Sequence, residues 1–116
     1  MFPDDLSVLV FPEPGGRWTA CGMEYDVAVQ ARSMDDAIDG LIRILQAHVE
    51  FDVRHGRRPL SAFSPAPRLF ADAFRFAASR ESRLREMEIP GTGPTSRVRV
   101  AIVQQSPMVY ALCRTA

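Results

Sequence analysis

Along the first half of the chain, apolar and polar positions change period twice. Leu6, Val8 and Val10 interleave with Ser7, Leu9 and Phe11, the two-residue repeat of a strand. Pro12-Glu13-Pro14-Gly15-Gly16 stops it, because proline cannot continue a ladder and glycine takes positive φ freely. Arg17 to Met23 resumes an extended pattern, with Trp18 and Ala20 on one face. Val27, Val29 and Ala31 mark a third strand, so an antiparallel meander is predicted. The period then changes. Ser33 is an N-cap candidate with Asp36 three residues on, and Asp35, Asp36 and Asp39 suit the positive end of a helix dipole. Ala37, Ile38, Leu41, Ile42, Leu45, Val49 and Val53 recur at three- and four-residue steps, one apolar stripe of a helix ending at Arg54-His55-Gly56. Gly40 inside that helix points to close approach to the sheet.

The second half is less regular. Residues 57–67 form a connector with Pro59, Pro65 and Pro67, whose Leu60, Ala62 and Phe63 place it against the domain. A second helix is predicted over residues 68–88, with Leu69, Phe70, Ala73, Phe74 and Ala77 as its apolar face. Pro90, Gly91, Gly93 and Pro94 break the pattern. Val98, Val100 and Ile102, alternating with Arg97 and Arg99, predict a late strand over 97–104, at the sheet edge or against another copy. Met108 to Cys113 is a further apolar run. The whole reads as one α+β domain, residues 1–116, with a β-β-β-α core over 1–56. Its mainly antiparallel sheet has three or four strands, with the long helix packed on one face.

Composition adds limits. At 116 residues, 47% hydrophobic and 24% charged, the chain is an ordinary globular domain. No apolar run approaches the roughly 20 residues needed to span a bilayer, and MFPDD lacks a signal-peptide pattern, so a cytoplasmic location is expected. Cys21 and Cys113, far apart, are expected reduced, and no zinc spacing is present. The net charge is zero but unevenly spread. Residues 1–53 hold ten acids against three arginines, and residues 54–116 hold eleven arginines against four acids, leaving −7 and +7. Such halves suit an anionic partner, or each other within one chain or across a dimer.

Gly15, Gly16, Trp18, Ala20, Gln30, Ser33, Asp36, Ala37 and Leu41 occur in the order seen in the N-terminal domain of the HicB family, which this chain resembles. The family's glycine after the glutamine is Ala31 here. Gly56-Arg57-Arg58-Pro59-Leu60 and Pro65-Ala66-Pro67 look like a subgroup of short HicB-like proteins. The resemblance implies a truncated ribonuclease H-like fold and an antitoxin-like role: binding and masking a protein partner, a HicA-like ribonuclease toxin. Many members add a C-terminal ribbon-helix-helix or helix-turn-helix, and residues 54–116 show neither clearly.

Candidate chemistry is sparse. A ribonuclease H site needs clustered carboxylates starting on the first strand, and Leu6 to Phe11 has none, so no catalytic residue, metal or cofactor is assigned. Glu24 and Asp26 flank Tyr25, and read as an acid/base pair, a solvated turn, or an acidic edge receiving a partner's arginines. With Arg57 and Arg58 they form the expected partner-binding set: Glu24, Tyr25, Asp26, Arg57 and Arg58. His48, Asp52 and His55 share one helix face, a metal-like spacing or the polar shoulder of the helix. Arg54, Arg57, Arg58 and Arg68, with Phe63 and Phe70 nearby, supply the alternative, a nucleic-acid surface. A homodimer is expected from exposed sheet edges and the charge asymmetry.

Overall fold

Strand β1 (Asp5–Pro12) is apolar on both faces, and the architecture follows from covering both. The computed structural model describes residues 5–79, 82–87 and 96–103. Leu6, Val8 and Val10 enter one apolar cluster, and Leu9 and Phe11 a second on the opposite side. A strand buried on both faces needs a helix above and below it. Helix α1 (Met34–Arg54) supplies the first, through Ala37, Ile38, Leu41, Leu45 and Val49. Helix α2 (Arg68–Ala78) supplies the second, through Ala73, Phe74 and Ala77, with the Phe70 ring 6.3 Å from that of Phe11.

Strands β2 (Trp18–Gly22) and β3 (Ala28–Ala31) continue antiparallel from β1, with Val10 opposite Ala20 and Ala20 opposite Val29. Gly15 and Gly16 take φ +86° and +82° in the first turn, as the sequence requires. Ser33 caps α1, its hydroxyl accepting the Asp36 N–H at 3.1 Å. A Cβ on Gly40 would stand 3.0 Å from Val29 Cγ1, so α1 does run close over β3. Trp18 packs against the α1-side cluster. Ala31 is an ordinary strand residue without positive φ.

Several expectations need correction. The second helix stops at Ala78, where the Ser79 hydroxyl donates to the Phe76 carbonyl. Residues 82–87, expected to extend it, form strand β4 (Ser82–Met87). Ladder pairing overrides local helix preference there. The late strand, β5 (Ser96–Ile102), lies neither at an edge nor against another copy. It inserts between β1 and β4, parallel to β1 and antiparallel to β4. The sheet is therefore five-stranded and mixed, in the order β3-β2-β1-β5-β4. Strand β1 starts one residue early, so Asp5 stands at its first position. Val53 is 55% exposed; the last inward residue of α1 is Asp52. The Met108–Cys113 run lies outside the described residues.

Gly22 was not singled out by the sequence, yet its place is tight. A Cβ there would meet the Tyr25 carbonyl oxygen at 2.6 Å. Backbone cannot move aside as a side-chain tip can. Gly22→Ala is expected to lower stability by about 1–3 kcal/mol, seen as an earlier urea midpoint with an unchanged slope.

Candidate functional site: the open sheet edge and the arginine connector

The loop between β2 and β3 holds Glu24, Tyr25 and Asp26. Gly22 N–H donates to the Val27 carbonyl at 2.9 Å, and Val27 N–H to that of Tyr25 at 2.7 Å. Met23 N–H donates to the Ser7 carbonyl at 2.9 Å, and Glu24 Oε1 accepts the Ser7 N–H at 2.8 Å. The Glu24 carboxylate thus prolongs the β1–β2 ladder, as another strand residue would. Expected from the sequence at a partner contact, it also serves the fold, because β2 ends at Gly22 and leaves Ser7 N–H without a strand residue opposite it.

The same loop grips the connector. Asp26 N–H donates to the Ser64 carbonyl at 2.7 Å, and Ala66 N–H donates to the Met23 carbonyl at 2.9 Å. Tyr25 is half-buried against the α1-side cluster. Its phenol is pushed above its ordinary range, first by burial and then by Glu24, while the Arg58 guanidinium pulls the other way. Arg58 therefore stands near Tyr25. Arg57 belongs to another group, its guanidinium carbon 5.7 Å from the Phe51 ring centroid.

Strand β3 borders this loop. It is an edge strand whose outer side has no partner among the described residues. Ala28 and Gln30 are exposed, while Val29 and Ala31 are half-buried against α1. An open edge offers a row of backbone donors and acceptors to an extended segment. Here that edge begins just past the loop that carries Tyr25 and the exposed Asp26.

The metal-like trio does not converge. Asp52 is 7% exposed, and its Oδ2 accepts the Leu60 N–H at 2.8 Å. His48 meets Phe63 edge-on at 4.9 Å, and His55 stacks on Phe51 at 4.1 Å with Nδ1 2.8 Å from the Phe51 carbonyl oxygen. Among the described residues, no group of three or more His, Cys, Asp or Glu could hold a metal ion. The nucleic-acid set is also divided. Arg54, Arg57 and Arg58 are exposed around the end of α1. Arg68 opens α2, the helix on the other face, and pairs with Asp72 one turn on.

A feature the sequence reading missed lies on α1. Ile44 and Phe51 are 38% and 46% exposed, and with Ala47 and His48 they line a shallow groove of about 390 Å³. The signal was present: Ile44 and Phe51 stand seven residues apart, off the inward stripe. Cys21 is buried, and burial followed by the charge of Asp26 raises its thiol to about 11. It makes a poor nucleophile at neutral pH. No helix among the described residues is long and apolar enough to cross a membrane. Comparison with protein-family models, with curated proteins and with solved structures gives no match.

Two outcomes follow from these electrostatics. In a Tyr110→Phe background, Arg58→Ala is expected to raise the Tyr25 pKa further in an ultraviolet phenolate titration, and Glu24→Gln to lower it. Alkylation of Cys21, located by mass spectrometry, is expected to be about a hundredfold slower at pH 8 in the native protein than in urea, each unit of raised pKa costing about tenfold in thiolate. The native rate is expected to climb as pH rises toward 11.

Proposed function

We propose that this chain is a non-enzymatic, cytoplasmic binding protein of HicB-like, antitoxin type, which masks a protein partner at the open edge of its sheet. The observation that carries the reading is the edge itself. Strand β3 lacks an outer neighbour among the described residues, and the loop with Tyr25 and Asp26 leads into it, with Arg58 close enough to act on the Tyr25 phenol. An extended partner segment pairs with the β3 backbone, and its side chains meet the tyrosine, the carboxylate and the guanidinium. The ordered sequence resemblance supports the same class, and by that resemblance the partner is a HicA-like toxin.

A binding role also fits the chemistry of the polar groups. Glu24 and Asp52 hold backbone N–H groups, and the Cys21 thiol is strongly protonated. The nucleic-acid alternative gains no comparable support, because Arg68 is engaged with Asp72 away from the other three arginines.

Affinity capture from the native host, read by mass spectrometry, tests the proposal. One small protein is expected at near-stoichiometric yield. The exposed pair Ala28→Lys/Gln30→Lys, which plants charge on the edge, is expected to cut that yield at least tenfold while the melting curve stays in place. Absence of a specific protein, or capture indifferent to the edge substitutions, overturns it.

A further inference from the structure

The outward side of α1 carries charge in an order that matches itself reversed. At about 100° per residue, Asp36, Asp39, Arg43, Glu50 and Arg54 fall on one side of Ala47, and Ile44 and Phe51 fall on the other. Asp36, Arg43, Glu50 and Arg54 are exposed, and so is Ala47 between them. Arg57 and Arg58 follow just past the C-cap, also exposed.

We propose that this face of α1 is the interface of a homodimer, in which two α1 helices lie antiparallel about a twofold axis beside residues 46 and 47. The outward charges inside the helix then meet their opposites. Arg43 stands level with Glu50 of the second copy, and Asp39 level with Arg54 of the second copy. On the other flank the Ile44 and Phe51 side chains of one copy stand within one helical step of Phe51 and Ile44 of the other. The groove that each copy leaves open is thereby filled.

A self-complementary patch is what an isologous twofold contact needs. A parallel pairing lacks this property, since it sets acid against acid and arginine against arginine. Burial of Ile44, Ala47 and Phe51 supplies the attraction, and the charges set direction and register. Ala47, at the crossing, is small enough for the helix axes to come within the usual 8–10 Å. Antiparallel dipoles add to the same orientation. The arrangement is independent of any partner at the β3 edge.

Sedimentation equilibrium over a concentration series tests it with five chains: wild type, Ala47→Glu, Arg43→Glu, Glu50→Arg and the double reversal Arg43→Glu/Glu50→Arg. All three substituted positions are exposed helix sites that tolerate these side chains, and circular dichroism melts verify the fold. Wild type is expected at twice the chain mass. Ala47→Glu and each single reversal are expected to weaken association at least tenfold, and the double reversal to restore it. A single-chain mass for wild type overturns the proposal, as does a dimer indifferent to Ala47→Glu or a double reversal no tighter than the singles.

Discussion

The buried carboxylate of Asp52 is the joint on which the second half of the domain turns. It occupies the inward stripe of α1 three residues after Val49, in place of Val53, which faces out. A charged group in that place is costly unless it is hydrogen-bonded. It accepts the N–H of Leu60, while its own carbonyl takes the N–H groups of His55 and Arg57 at 3.2 and 2.7 Å. Leu60 is fully buried and takes φ +60°, a left-handed conformation that a leucine holds only when its surroundings compel it. The bond to Asp52 and the burial of the side chain are the two compulsions. Together they reverse the chain after α1 and bring Arg57, Arg58 and the connector back along the domain.

From that joint the connector runs to the β2–β3 loop, where Ser64 and Ala66 are held by Asp26 and Met23. The connector therefore fastens the loop as much as the loop fastens it. It also carries the chain from the α1 side of the sheet to the α2 side, so that β1 is covered twice. Tyr25 near Arg58 and the start of the open β3 edge come together as a result of this one route.

How much of this the sequence displayed depends on the range of the interaction involved. The first three strands, the Ser33 cap and the inward face of α1 rest on local patterns, and each appears where those patterns place it, save that Asp52 takes the last inward place in α1 and Val53 faces out. Gly40 correctly announced the close approach of α1 to Val29, since only packing explains a glycine there. Strand β4 was hidden, because residues 82–87 are strand only by virtue of pairing with β5. The place of β5 was hidden for the same reason: alternation marks a strand and says nothing of its neighbours. Among site residues, Glu24 and Asp52 looked like free acids, since no sequence pattern reveals that a backbone N–H from 17 or 8 residues away will claim them. The division of Arg57 from Arg58 depends on which way two adjacent side chains turn at the connector.

The charge pattern of α1 has two sources, and they predict different things. Acids at the N-terminus and arginine at the C-terminus are what a lone helix prefers, because they offset its dipole. That preference accounts for Asp35, Asp36 and Arg54. It does not account for Arg43 and Glu50, which lie inside the helix beyond the reach of either end and in the opposite sense. Spacing gives them another role: Asp39 and Arg43 are four residues apart, and so are Glu50 and Arg54, with the acid first in each pair, the favourable order on a helix surface. Each such pair alone is worth only a few tenths of a kcal/mol. Two antiparallel copies of α1 set the Asp39–Arg43 pair of one against the Glu50–Arg54 pair of the other, so that each charge has opposite signs both along its own helix and across the interface. Networks of this kind hold where single surface pairs do not. The interior charges of α1 thus carry the information about register, while the terminal ones follow from the helix itself.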